Sequence, residues 1–426
     1  MKKIVGILSA AAVLAASVFA ADVSAGTQIK GNVFSFSSET SNPDANNVVT
    51  KTETFKLFSQ GNDSHDYAKP NISFSIGDDK AGAKINLTTD GNTLNVAQTT
   101  QSIWFKPIDI LKVTVGGYDV ALNKEQIDWT ESYTGLGGKG FLVSLNTNGI
   151  GIDVGLDEGN KTSVTWLSYE KKTKDPDKNK ENDKKVYPTI KPFFIKGSYT
   201  ADFGNIGAYV LFNHADPNNW ESTYGKYNIE SSNANSSIKN FDFGVGYKNT
   251  FNPVTIFANV VGHVENVDKV EGENSEIKRA THLQWIRPEL FVTGNVDAFG
   301  FSLFAAPLIY VNNDKFVPTN DNDNYLRAKD KGQSMIEAEI LAKVTYRIDA
   351  VTVYGYFKDP NIFAQREKKN EKDEVSYESA FKATIKAGAT GNVGLMNWDT
   401  CVQFDIDTTK TEKFEVSVPF TLGVSF

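Results

Sequence analysis

The sequence predicts an all-β chain closed into a transmembrane antiparallel up-and-down β-barrel. The expected strand number is even and about 18, within roughly 16 to 20. Three observations carry this. Apolar and polar residues alternate in short segments along the whole chain. No stretch after the N-terminus has the 18 or so apolar residues of a membrane helix. From residue 170 onward, long polar connections alternate with tight turns.

The first element is residues 1–20. Lys2 and Lys3 precede an apolar run from Ile4 to Val18, followed by the small residues of Val18-Phe19-Ala20. This pattern reads as a cleaved secretory signal, with an alternative cut after Ala25 in Val23-Ser24-Ala25. The run is short for a spanning helix, and no cysteine follows it to carry a lipid. The rest, residues 21–426, reads as one barrel: no linker or internal repeat divides it.

The alternating segments then follow in order. Ile72, Phe74, Ile76 and Ala83, Ile85, Leu87 come first, then Leu111, Val113, Val115. Phe141, Val143, Leu145 precede Ile150, Ile152, Val154, Leu156 and the pair Val164, Trp166. Phe193, Ile195, Gly197, Tyr199 and Ile206, Ala208, Val210, Phe212 continue the series. Next are Phe241 to Tyr247, Val254 to Val260, Leu283 with Trp285, and Phe299 to Ala305. Ile336 to Tyr346, Ala350 to Phe357, Phe381 to Ala387 and Trp398 to Ile406 complete the run before the last strand. That strand is the cleanest: Phe414, Val416, Val418, Phe420, Leu422, Val424 and Phe426 share one face, and Glu415, Ser417, Pro419, Thr421, Gly423 and Ser425 the other.

Two stretches resemble bacterial outer-membrane porin-type barrels. One is the terminal strand ending on Phe426, which the resemblance identifies as a signal read by the outer-membrane barrel assembly machinery. The other is Trp104-Phe-Lys-Pro107, similar to the W-x-K-P hairpins of large bacterial, including spirochaetal, porin-like barrels. It places a tight turn at Lys106-Pro107, which the resemblance puts on the periplasmic side, and residues 119–139 outside. The resemblance implies a bacterial outer-membrane location. The strand count then agrees with the downstream turns only if residues 149–170 form one strand rather than a hairpin at 157–160.

Long connections are expected at 171–186, 214–238, 264–280, 312–333 and 359–376. Tight turns are expected at 202–205, 249–253, 296–298, 347–349 and 390–392. The last turn, 407–412, lies with the long connections.

If the apolar alternates face lipid, their neighbours line a lumen. These are Lys84, Lys112, Asp242, Glu337, Glu339, Lys343, Arg347, Lys382, Lys386, Asp399, Asp405 and Glu415. A Lys or Arg facing hydrocarbon at mid-depth costs about 2–4 kcal/mol, so their shared parity argues for a wet interior. Both signs occur, so the charges declare neither an anion nor a cation filter. Trp104, Trp166, Trp285 and Trp398, with Tyr118, Tyr187, Tyr310, Tyr346 and Tyr377, fall near strand ends and read as interfacial girdle residues. Trp129 and Trp220 read as loop packing, with sugar stacking as the alternative.

The remaining chemistry is sparse. The net charge is −8, or 42 basic against 52 acidic residues once Lys2 and Lys3 are removed, which argues against nucleic acid as a partner. Cys401 is alone, so no internal disulfide forms. His65 and His214 stand near aspartates, but no catalytic, metal or cofactor motif accompanies them. The run 320–324 lacks the glycine and glutamate of a calcium loop. The expectation is a channel, not an enzyme, passing small hydrophilic solutes or ions through the outer-membrane bilayer, alone or as a homo-oligomer. Gly-rich 119–139 is the candidate for an inward-folded constriction. The alternative is a surface barrel that only displays its loops.

Overall fold

The computed structural model describes residues 21–41, 49–60, 71–89, 96–122, 135–157, 167–168, 189–190, 193–212, 240–271, 277–316, 325–327, 335–369, 375–409 and 411–425. The strands begin with β1 (Ala21–Thr40), β2 (Lys51–Gln60), β3 (Asn71–Gly77), β4 (Ala81–Thr89), β5 (Val96–Ile108), β6 (Leu111–Ala121), β7 (Gly135–Thr147) and β8 (Ile150–Asp157). They continue with β9 (Leu167–Ser168), β10 (Thr189–Ile190), β11 (Phe193–Ala201), β12 (Gly204–Phe212), β13 (Asn240–Phe251), β14 (Val254–Glu271), β15 (Ile277–Val296) and β16 (Phe299–Phe316). The last are β17 (Tyr325–Arg327), β18 (Ile336–Ile348), β19 (Val351–Asp359), β20 (Gln365–Lys369), β21 (Val375–Ser379), β22 (Lys382–Val393), β23 (Met396–Asp407) and β24 (Glu412–Ser425).

Each strand of the wall pairs antiparallel with its neighbours, and β24 pairs with β1 from Gly26↔Ser425 to Thr40↔Glu412. The wall therefore closes, so neither β1 nor β24 is left as a free edge. Among the described residues it has 18 staves. The second stave is split: β2 pairs with the upper half of β1 and β3 with Ala21–Gly26 of the same strand. The short pairs β9–β10 and β20–β21, and the three residues of β17, lie outside this count.

The strand β1 escapes a reading by alternation for a physical reason. Its pairing slips between Asn32 and Phe34, so Gly31 shares the face taken further on by Phe34 and Phe36. A bulge of this kind reverses the parity halfway along a strand.

One end of the barrel has tight turns, at 78–80, 109–110, 148–149, 202–203, 252–253, 297–298, 349–350 and 394–395. Asn148, Asp297 and Asp349 adopt φ of 46°, 53° and 51°, and Gly149 follows at 79°. Short polar side chains and glycine tolerate this left-handed backbone, which matches the twist of a two-residue hairpin. Asp78 closes another turn by accepting the N–H groups of Lys80 at 2.8 Å and Ala81 at 2.9 Å. Those backbone donors, Ala81 first, hold its carboxyl below the usual range.

Several boundaries move. The turn expected at Lys106-Pro107 lies at 109–110, and Pro107 falls within the register slip between Phe105 and Ile108, where no ladder N–H is needed. The turn expected at 390–392 lies at 394–395. Residues 264–280 are mostly strand, because β14 runs to Glu271 and β15 starts at Ile277. The chain reverses at 148–149, and β8 is one strand that next pairs with β11. The strand count therefore agrees with the downstream turns, with a strand shorter than 149–170. Val164, Trp166 and the connections 171–186 and 214–238 lie outside the described residues.

Candidate functional site: the barrel interior

The two faces of the wall separate cleanly. Ile85, Val115, Ile195, Val245, Leu290, Leu303, Val344, Ile385, Val402 and Leu422 are all exposed, and register aligns them on the outer face. Among the described residues no layer of protein covers them, and an apolar outer surface of this extent is what hydrocarbon would cover.

The charged residues read from the sequence fall on the opposite, inner face. Glu339 of β18 meets two cations: Arg287 Nη2 lies at 2.9 Å and Lys358 Nζ at 3.0 Å. Arg287 also stands 3.4 Å from Glu289, and Arg287 and Glu289 are each 4% exposed. Buried charges of this kind are tolerated because each faces an opposite charge. Glu337 accepts the Tyr310 hydroxyl at 3.2 Å, and Asp399 accepts the Tyr354 hydroxyl at 2.9 Å. Asp405 accepts Thr384 and Gln403, both at 2.5 Å. Lys382 pairs with Asp407 at 3.0 Å and Glu415 with Lys413 at 3.4 Å.

Three lysines of this set stand over rings: Lys112 at 4.8 Å from Trp104, Lys343 at 5.3 Å from Tyr354 and Lys386 at 5.1 Å from Tyr356. Lys84 is exposed, in register with Ser75 and Ser102. Arg347 is exposed at the tight-turn end. Asp242 contacts His263 Nδ1. Phe426 lies outside the described residues, as do Trp129, Trp220, His65, His214 and residues 320–324.

The inner wall also carries apolar side chains that parity alone did not single out. Phe257, Phe291, Phe304, Ala306, Leu341 and Tyr356 form one buried cluster. Leu122, Leu142, Phe194, Tyr209 and Val261 form another, with Tyr118 and Trp285 packed against it. Leu122 follows the last residue of β6 yet approaches Gly207 of β12, four staves away. A Cβ at Gly207 would lie 2.5 Å from Leu122 Cδ1. Gly155 and Gly244 likewise leave space for the rings of Phe194 and Tyr209, where a Cβ would come within 2.1 and 2.4 Å. The chain therefore turns into the lumen at Leu122, within the segment 119–139 expected to constrict it; residues 123–134 lie outside the described set.

Four girdle expectations are corrected. Trp104, Tyr118, Trp285 and Tyr310 face inward, whereas Tyr346 and Trp398 face outward. Tyr377 sits in β21, away from the wall, and Trp166 and Tyr187 lie outside the described residues. Alternation puts Leu283 and Trp285 on the lipid face, but Trp285 shares the parity of Arg287 and Glu289, while Ile286 and Leu290 point out; the side chain of Leu283 lies outside the described set. The charges of Arg287 and Glu289 were the signal for this. Lys358, just past the segment Ala350 to Phe357, also takes the inner face, in register with Leu341 of the neighbouring β18.

Among the described residues, no group of three His, Cys, Asp or Glu side chains is arranged to hold a metal ion.

No protein-family model matches the chain, and no curated protein does. Similar solved structures are outer-membrane proteins. OccK9 (OpdG) of Pseudomonas aeruginosa aligns over 96% of this chain and 99% of its own, at 10% identity and a TM-score of 0.48. The outer membrane protein opdK of Pseudomonas aeruginosa aligns over 95% and 99%, at 8% identity and 0.45. A BenF-like porin of Pseudomonas fluorescens Pf-5 aligns over 95% and 99%, at 9% identity and 0.43. The fold of this chain rests on its own closed ladder: an 18-stave antiparallel barrel.

Proposed function

We propose that the protein is a bacterial outer-membrane channel for passive diffusion of small hydrophilic solutes or ions. The observation that carries this is the division of the wall into an apolar outer face and an inner face holding Lys84, Lys112, Asp242, Glu337, Glu339, Lys343, Arg347, Lys382, Lys386, Asp399, Asp405 and Glu415. A barrel of about 8 staves is filled by its own side chains, whereas one of about 16 to 18 leaves an aqueous lumen. The charged inner face suits water, and in this reading its residues line the conduction path.

In this reading Leu122 narrows the lumen by holding the chain inward against Phe194, Tyr209 and Gly207. The tight-turn end faces the periplasm and the long connections face outside. Residues 1–20 are removed on export, which leaves Ala21 to begin β1. Phe426 serves the barrel assembly machinery. The test is reconstitution of purified protein into planar bilayers. Discrete conductance steps are expected. Their complete absence, with a folded barrel verified by heat-modifiable gel migration, rejects the channel and leaves a loop-displaying surface barrel.

A further inference from the structure

We propose that His263 is a proton-controlled charge in the channel wall, which changes ion selectivity between about pH 8 and pH 5.5. The proposal rests on the channel reading. His263 lies on the inner face of β14. Its Nδ1 contacts Asp242 Oδ1 of β13, and its ring stacks on Trp285 of β15 with centroids 5.5 Å apart and planes 18° from parallel. The side chains of His263 and Asp242 are 15% and 26% exposed, so the pair is sheltered yet still reaches the lumen. Trp285 in turn packs against the cluster that contains Leu122. The imidazole is thus built into the same patch of wall as the inward turn of the chain.

The surrounding charges make the histidine matter. From β13, Asp242 faces it directly, and Lys248 lies farther along over the Phe257 ring. From β15, Arg287 follows two positions after Trp285, and its charge is met by Glu289 and Glu339. On β14 itself the inward neighbours are uncharged Asn259 and Val261, and Glu265 stands two positions on, in register with Leu283. With neutral imidazole the pair carries the negative charge of Asp242. With imidazolium it carries none. One proton therefore changes the lumen charge at this level by one unit, and in a partly screened lumen such a change alters which ion is preferred.

The pH window isolates the imidazole. Ordinary carboxylates titrate near pH 4 and lysines near 10.4, so few other side chains change charge between about 8 and 5.5. The competing role for His263 is a neutral donor that only positions Asp242, and it predicts no change in this window.

Two measurements decide. In a KCl gradient across a planar bilayer, the cation-to-anion permeability ratio of the wild type should fall by roughly twofold from pH 8 to 5.5 at 0.1 M salt, and by less at 1 M. In His263→Gln the ratio should not follow pH. Gln keeps a donor for Asp242, so folding should survive. In detergent, without conduction, the emission assigned to Trp285 by subtracting Trp285→Phe should drop on acidification, because imidazolium quenches the indole it stacks on. This drop should vanish in His263→Gln. A ratio that is constant with pH in the wild type, or that still follows pH in His263→Gln, overturns the proposal. An absence of channel steps in every variant instead rejects the channel reading, and the emission titration then still decides whether His263 takes up the proton.

Discussion

Val344 and Thr345 are neighbours on β18 that point to opposite faces of the wall. Val344 is 46% exposed on the outer face, in register with Phe301 and Gly355; Thr345 points inward, in register with Gly300 and Tyr354. Both lie five or fewer residues before the tight turn at 349–350. At about 3.3 Å per residue and a tilt of about 40°, Val344 sits about 13 Å above that turn, near the middle of an apolar band about 25 Å tall. Val344→Lys should therefore cost about 2–4 kcal/mol of stability, a shift of roughly 30- to 1000-fold in the folding equilibrium. Thr345→Lys, at the same depth but facing water, should cost less than about 0.5 kcal/mol. Ile385→Lys is the depth control. Ile385 is also on the outer face but about 23 Å above its turn at 394–395, close to the rim, so it should cost only about 0–1 kcal/mol. The assay is reversible urea unfolding in lipid vesicles, with equal denaturant slopes required before midpoints are compared. If Val344→Lys and Thr345→Lys destabilise equally, the face assignment is wrong. If Ile385→Lys costs as much as Val344→Lys, the depth assignment is wrong.

Mass spectrometry of the purified protein should place its first residue at Ala21, because a cut after Ala25 would strip Ala21–Ala25 from their pairing with Ile72 to Ile76 and leave β3 unpaired on that side; a start at Gly26 would contradict this. Leu122→Ala should raise single-channel conductance and lower stability by about 2–5 kcal/mol, since the side chain is 3% exposed in its cluster; unchanged conductance would remove Leu122 from the constriction. Lys382→Glu combined with Lys386→Glu should shift the reversal potential toward cation preference at low salt and less so at 1 M, with the barrel still folded. Tags inserted at 320–324 or 368–372 should be accessible on intact cells and a tag at 252–253 should not; equal accessibility would break the orientation.

Much of the wall was legible because its code is local. A strand alternates every residue, so Ile336 to Tyr346 and Glu337 to Arg347 separate into two faces with no knowledge of what packs against either. The penalty for charge in hydrocarbon then tells which face is wet, and the inner-face placement of Glu339, Lys343 and Lys386 follows from that rule alone. Turns were legible only to within a few residues. Lys106-Pro107 and 390–392 carry turn-like composition, but pairing with the neighbouring strand carries β5 through Ile108 and β22 through Val393.

Tertiary structure decided what depends on residues far apart in the chain. Closure joins Gly26 to Ser425, a contact that no window of sequence contains. The split second stave arises because β2 and β3 share one partner strand, while the bulge near Asn32 hides the periodicity of that strand. Leu122 is an unremarkable apolar residue at the end of β6 until Gly207, four staves away, leaves room for it. Arg287, Glu339 and Lys358 meet from three different strands, and His263 acquires Asp242 on one side and Trp285 on the other. Alternation along one strand determines which way a side chain points, but the partner it meets there is set by register between strands, and register is a property of the closed sheet.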